Sequence, residues 1–225
     1  MTAGSHGLEW VGHIQAVLFD MDGTLLDSEH LTAQAIDTLL AEHGLRSALQ
    51  GPWFHGLTWG RIAMTLREES EALHSVPVEA ALQAHFHGAL VRTAPPAIPG
   101  APQAVIAAAR RTGTAVVSSS NRASVQHVVE RLGLQPHLRH MVAAEDCERS
   151  KPDPQCFQIA AERLGVACER CLVFEDSVAG LAAGRAANMR TIAIGRHHAA
   201  SGVADHTISD FTELPAGFFT GMGRG

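Results

Sequence analysis

The sequence predicts an α/β fold: a parallel sheet covered by helices on both faces, interrupted after its first strand by an all-helical insert. Three observations lead there. From Pro102 onward, short apolar runs alternate with helix-period segments, the β-then-α pattern that builds a parallel sheet. Between Glu29 and Val91 the apolar residues follow only a helical period, with no strand-like run. Upstream of both, the apolar run Ile14 to Phe19 stands alone and ends in Asp20-Met21-Asp22-Gly23, a strand stopped by a glycine turn.

Composition sets the limits. The 225 residues are 46% hydrophobic and 18% charged, a globular balance with ample material for a core. A formal net charge of -6 and a sequence pI of about 6.1 argue against a nucleic-acid binder, which needs a basic surface facing phosphates. Lys151 is the only lysine. Met1 to His13 carries no basic run before a long apolar segment, and no window reaches bilayer length, so a soluble, cytoplasmic protein without membrane partners is expected. The cysteines Cys147, Cys156, Cys168 and Cys171 are too sparse for a disulfide-stapled fold. Cys168 and Cys171 have Cys-x-x-Cys spacing, but no second pair exists and Cys171 opens the apolar run to Phe174. A packed thiol is expected rather than zinc or redox chemistry.

In order along the chain, Glu29 to Gly44 places Leu31, Ala35, Leu39 and Leu40 at helical spacing and stops at a glycine. A loop from Ser47 to Gly56 follows, then helices over Trp59 to Leu73 and Val78 to Val91, closed by Pro95-Pro96 and Pro99-Gly100. The core resumes with a helix over Gln103 to Arg111 and a strand over Thr114 to Val117. It continues with a helix over Ala123 to Leu132, a strand over His140 to Ala143, and a helix over Pro154 to Leu164. Strand Cys171 to Phe174, helix Val178 to Ala187, strand Thr191 to Ile194 and a short run at Thr207-Ile208 complete it.

Polar residues recur at the ends of these strands, where open α/β sheets bind ligands. Asp20 and Asp22 end the first, and Ser118 the second, with Ser119 to Asn121 leading into a helix amino terminus that favours an anion. Lys151 lies just before a helix-starting proline, and Glu175-Asp176 ends a later strand. Two acid pairs, a hydroxyl and a lysine are what Mg²⁺-assisted phosphoryl transfer requires: hard oxygen ligands for the ion, cations to offset the phosphate, and a carboxylate nucleophile. Singly, each has an ordinary alternative as a helix cap, a solvated charge or an acidic helix start.

Asp20-Met21-Asp22-Gly23-Thr24, Ser118, Lys151-Pro152 and Glu175-Asp176 together resemble the four motifs of the haloacid dehalogenase-like (HAD) phosphohydrolase superfamily, in order and across nearly the whole chain. Leu26-Asp27-Ser28-Glu29 and Lys151-Pro152-Asp153-Pro154 look like the branch containing β-phosphoglucomutase and phosphoglycolate phosphatase. The resemblance implies a Rossmann-like core, residues 1–27 and 97–225, with an inserted helical cap domain, residues 28–96. It implies that Asp20 attacks phosphorus, and that Asp22 protonates the leaving alcohol and later deprotonates water. It implies that Mg²⁺ is bound by Asp20, Asp176, the carbonyl of Asp22 and Glu175, directly or through water. Ser118 and the Ser119 N–H would hold phosphate oxygens, and Lys151 would neutralise Asp20. Asp27 to Glu29 would form half of a hinge for the cap.

For the substrate, the cap offers Trp53, His55, Thr58, Trp59 and Arg61, and the core offers Asn121 and Arg122. Arg61 is a candidate for a second anionic group. His197-His198 reads as an exposed loop pair. Sequences of the β-phosphoglucomutase type are expected to carry a cap lysine, a histidine where this chain has Thr32 and an arginine where it has Trp59. Hydrolysis of a small phosphorylated metabolite, a sugar or polyol phosphate, is therefore expected over mutase chemistry, by a monomer or weak homo-oligomer. A receiver-like signalling module would not need the helical insert and would carry its acid pair before the acceptor strand. Dehalogenation would dispense with Asp22.

Overall fold

The computed structural model describes residues 9–46, 49, 53–54, 57–195, 202 and 204–223. Six strands form one sheet: β1 (Ala16–Phe19), β2 (Gly113–Val117), β3 (His140–Val142), β4 (Cys171–Glu175), β5 (Arg190–Ile194) and β6 (His206–Ile208). Their order is β3-β2-β1-β4-β5-β6, and every adjacent pair is parallel. The connections therefore reverse direction between β1 and β4, so a crevice opens at the carboxyl ends of these two strands. β1 pairs on both sides, Phe19 with Val116 of β2 and with Phe174 of β4. A strand flanked on both edges and covered on both faces must be apolar throughout, and all of β1 is buried.

Alternate residues of the sheet feed two cores. Val17, Phe19, Leu172 and Phe174 face one side with α4 (Ala101–Ala109), α5 (Arg122–Arg131) and the carboxy-terminal Phe211, Phe218 and Phe219. Ala16, Leu18, Cys171 and Val173 face α6 (Gln155–Leu164) and α7 (Val178–Ala186) on the other. Phe19 and Phe174 stack at 5.3 Å. Burying a side chain of this size contributes about 2–3 kcal/mol. Cys171 is in the second core as a free thiol, pushed up to about 12 by burial, as its packed reading requires.

Between β1 and β2 lies the helical insert: α1 (Glu29–Glu42), α2 (Trp59–Glu69) and α3 (Val78–Thr93). α1 buries Leu31, Ala35, Leu39 and Leu40, the stripe its period prescribes, and both α1 and α2 pack on α3. Boundaries differ from the expected ones for local reasons. α2 stops at Glu69 because Ser70 is extended, and Glu71–Leu73 is a separate 3-10 turn. α4 begins at Ala101, after Gly100 at φ 78°, with Pro102 in its first turn where no N–H is missed. β4 runs on to Glu175, which pairs with Ala193 and so carries its carboxylate to the end of the sheet.

The two chain segments that join insert and core are tied together. Leu26 and Ala97 form an antiparallel bridge, with the Asp27 N–H donating to Pro96 O at 3.0 Å and the Ile98 N–H to Leu25 O at 3.0 Å. Among the described residues, no helix is long and apolar enough to cross a membrane.

Candidate active site

The buried carboxyl ends of β1 and β4 bring Asp20, Glu175 and Asp176 together. One carboxylate oxygen from each lies within 4.8 Å of the others. Lys151 arrives from the loop before α6, and its Nζ donates to Asp20 Oδ1 at 2.5 Å, Glu175 Oε2 at 2.7 Å and Val117 O at 3.2 Å. Those bonds use all three ammonium donors. Lys151, Asp20 and Glu175 are 4, 5 and 1% exposed, so this ion cluster is held away from solvent screening. Glu175 Oε1 accepts from the Ser177 N–H at 3.0 Å and the Ser177 hydroxyl at 2.8 Å, while the Ser177 hydroxyl caps α7 by accepting from the Gly180 N–H.

Charge balance in this cluster is negative. Burial, then the Glu175 charge, hold Asp20 well above the ordinary carboxylate range, with Lys151 opposing them. Asp176 is raised likewise by burial, Glu175 and Asp20. Burial works against the Lys151 ammonium, but Asp20 and Glu175 prevail and hold it well above its ordinary value. One buried lysine, bonded to two of three adjacent carboxylates, leaves negative charge that a cation would offset, and the carboxylates offer hard oxygens, which suit Mg²⁺. Gly23 makes the close approach possible. It sits at φ 79°, and a Cβ there would lie 2.1 Å from Asp176 Oδ2.

Asp22 faces hydroxyls. Its Oδ2 accepts from the Ser120 hydroxyl at 2.7 Å and from that of Ser118 at 3.5 Å, and its Oδ1 accepts from Ser28 at 2.9 Å. Burial raises its carboxyl from the ordinary value, while hydrogen bonds from Ser120, Ser28 and Ser118 and the Lys151 charge oppose the rise. Asp22 is outside the three-carboxylate group.

Over these groups lies a cavity whose core side includes Asp20, Asp22, Ser118, Ser119 and Lys151 and whose opposite wall comes from the insert. Trp59, 7% exposed, closes that wall. Its indole N–H donates to Ser120 Oγ at 3.4 Å and its ring meets Phe86 edge-on at 5.1 Å. Thr58 caps α2, accepting from the Arg61 N–H, and lines the cavity together with Thr32.

The structure separates the remaining candidates from this cavity. Arg61 is exposed and touches Met64 Sδ at 3.9 Å, because its place on α2 faces outward. Asn121 turns its Oδ1 to the Ser124 N–H at 2.9 Å as the cap of α5. Arg122 pairs with Asp146 at 2.5 Å and lines a different groove with Gln135 and Arg139. Trp53 packs edge-on against Phe54, at 6.0 Å, and only Phe54 lines the cavity. His55 and His197-His198 lie outside the described residues.

Ser120, Ser28 and Thr24 were not singled out as ligands to the acids. Thr24 donates to Asp176 Oδ1 at 3.2 Å. Thr24 lies inside the acid motif and Ser28 four residues beyond it, so both are legible from local sequence. Ser120 reaches Asp22 only through the pairing of β1 with β2, which no local pattern reports.

The family model for "haloacid dehalogenase-like hydrolase" matches residues 14–188. Validoxylamine A 7'-phosphate phosphatase from Streptomyces hygroscopicus subsp. limoneus is 30% identical over 210 residues, covering 89% of this chain and 95% of the relative. Fructose-1-phosphate phosphatase YqaB from Escherichia coli is 30% identical over 198 residues, covering 78% of this chain and 94% of the relative. The crystal structure of CbbY from Rhodobacter sphaeroides in complex with phosphate superposes with a TM-score of 0.76 at 27% identity, covering 89% of this chain and 96% of that one. A match over most of the chain, on a sheet that gathers the motif residues at one switch point, means that this chain belongs to the haloacid dehalogenase-like hydrolase family.

Proposed function

We propose that this hydrolase is a Mg²⁺-dependent phosphatase acting on a small phosphorylated metabolite, a sugar or polyol phosphate, through a phosphorylated Asp20. The observation that carries the reading is the division of labour between two acids. Asp20 is locked by Lys151 at 2.5 Å beside Glu175 and Asp176, and Asp22 is held separately by hydroxyls.

Asp20 Oδ attacks phosphorus as the bond to the leaving oxygen breaks, and the Asp22 carboxyl gives that oxygen its proton. The burial that raises Asp22 favours its protonated form at the start of this step. In the second half Asp22, now ionised, takes a proton from water as the water oxygen attacks phosphorus, freeing Asp20 and releasing phosphate. Ser118 and Ser119 line the cavity where the phosphoryl oxygens would lie, next to the amino end of α5. Lys151 keeps Asp20 oriented and offsets charge as phosphate approaches. Bound Mg²⁺, held by Asp20, Asp176 and the Asp22 carbonyl with Glu175 behind them, would supply further positive charge for the phosphoryl oxygens.

The names of the two relatives, phosphatases of a validoxylamine phosphate and of fructose 1-phosphate, support a carbohydrate-like leaving group. Thr32 and Trp59, in place of the histidine and arginine of mutase-type sequences, both line the cavity and favour hydrolysis over phosphoryl return to the sugar. The test is phosphate release from a panel of phosphorylated metabolites. Asp20→Asn is expected to abolish turnover and EDTA to suppress it; a variant retaining full Mg²⁺-dependent hydrolysis would overturn the mechanism. Rapid conversion of β-glucose 1-phosphate to glucose 6-phosphate with a bisphosphate primer, without phosphate release, would overturn the choice of hydrolysis.

A further inference from the structure

The cavity has an unusual charge distribution for a site that receives an anion. Its cap wall consists of Ser28, Glu29, Thr32, Phe54, Leu57, Thr58, Trp59 and Ile62, and the one charged side chain among them is the acid Glu29. A neighbouring chamber shares Thr58, Trp59, Ser118, Ser119 and Lys151 with it and adds the carboxylates of Glu79 and Glu148. Glu79 leans over the first turn of α2: a Cβ on Gly60 would lie 3.5 Å from its Oε2.

Among the described residues, Lys151 is the one cation lining either space, and its donors are already spent on Asp20, Glu175 and Val117 O. The arginines closest in sequence to the site are engaged elsewhere. Arg122 is paired with Asp146, Arg149 with Asp153 at 2.6 Å, and Arg61 lies against Met64. The cap loop from Ser47 to Gly56 contains no lysine or arginine, so no placement of that segment adds one.

A phosphoryl group entering this site meets Lys151, hydroxyls and a helix amino terminus. A second anion on the leaving group would instead lose its hydration against Trp59, Ile62 and Leu57, or approach Glu79 and Glu148. Burying a charge without a partner is costly, and a like charge repels it further.

Building on the phosphatase reading, we propose that the site selects on the charge of the leaving group. Monophosphate esters of neutral or amine-bearing alcohols are substrates; esters carrying a second phosphate or a carboxylate are excluded.

The test uses glucose 1-phosphate, glucosamine 1-phosphate and glucuronic acid 1-phosphate, which share one ring and differ in charge, with glucose 1,6-bisphosphate, whose leaving group carries a whole second phosphate, as the extreme. Each competes against p-nitrophenyl phosphate in the presence of Mg²⁺, so inhibition is read whether or not the sugar is turned over. The neutral and amine members are expected to inhibit at concentrations at least about tenfold lower than the acidic ones. Leu57→Arg, which adds a cation to the cap wall, is expected to narrow that ratio about threefold or more, whereas Glu79→Gln reduces the advantage of the amine alone. Equal inhibition across the series, tighter binding of the acidic members, or a ratio unmoved by Leu57→Arg would overturn the inference. Absence of any Mg²⁺-dependent p-nitrophenyl phosphate hydrolysis would overturn the phosphatase reading itself, and the inference with it.

Discussion

Asp22 is held by three serines that come from three places: Ser28 at the exit to the cap, and Ser118 and Ser120 beyond β2. Ser120 makes the shortest of these bonds, at 2.7 Å, and also receives the Trp59 indole N–H, so one hydroxyl holds both Asp22 and the aromatic wall of the insert. Ser120→Ala should lower kcat by about tenfold or more, with a smaller change in KM, since a hydrogen bond to an ionisable group contributes about 1.5–3 kcal/mol. Steady-state kinetics on any accepted phosphate ester checks this. Gly23 is a second position where one atom matters. Its φ of 79° and the 2.1 Å separation between an added Cβ and Asp176 Oδ2 leave no room for alanine. Gly23→Ala should cost about 1–2 kcal/mol of stability in urea melts and most of the activity, by displacing the Asp176 carboxylate. Gly23 was legible because a glycine turn after an apolar run is a local signal. Ser120 was not, because a serine near a helix start has too many ordinary uses.

The connection between the helical insert and the sheet has its own logic. The outgoing and returning segments are clamped by the Leu26–Ala97 bridge and by the hydrogen bonds from Asp27 and Ile98, while Ser28 reaches back to Asp22. Any swing of α1 to α3 over the site would turn about a point that touches Asp22, so on the proposed mechanism the position of the insert and proton transfer would be coupled. Amide hydrogen exchange should show this. With Mg²⁺ and orthovanadate bound, the amides of Asp27, Ile98 and Ile62 should become more protected, while those of the buried strand β1 stay unchanged. Equal protection with and without the oxyanion would mean a fixed cap. Periodicity alone identified the three helices of the insert, because each shows one apolar stripe to the others. It did not show which side chains of α2 face the core. Arg61, a candidate substrate ligand by sequence, is set outside by the turn of the helix, while Trp59, two residues earlier, faces Ser120.

For the molecule as a whole, the site crowds like charges that a bound cation would offset. Three carboxylates converge within 4.8 Å around a single lysine, at the crevice where the sheet reverses its winding. Mg²⁺ should raise the melting temperature, since a ligand that binds only the folded state stabilises it by mass action, and EDTA should reverse the rise. Asp176→Asn should remove the Mg²⁺ response. In the metal-free protein it should also be the more stable chain, by about 1 kcal/mol, because it deletes one of the crowded charges yet keeps an oxygen for the Thr24 hydroxyl. Calorimetry of both proteins with and without Mg²⁺ measures these signs.

By itself the sequence determined the alternation of strands and helices, the place of the insert, and the positions of Asp20, Asp22, Ser118, Lys151, Glu175 and Asp176. These are local properties: hydrophobic period, glycine and proline punctuation, and polar residues stationed where apolar runs end. Tertiary structure alone decided that Lys151 spends its donors on Asp20 and Glu175, that Ser120 serves Asp22, and that Arg61 and Arg122 turn away from the cavity. Those outcomes depend on which strands lie side by side and on how far each helix is rotated, and no stretch of sequence contains both partners of such a contact.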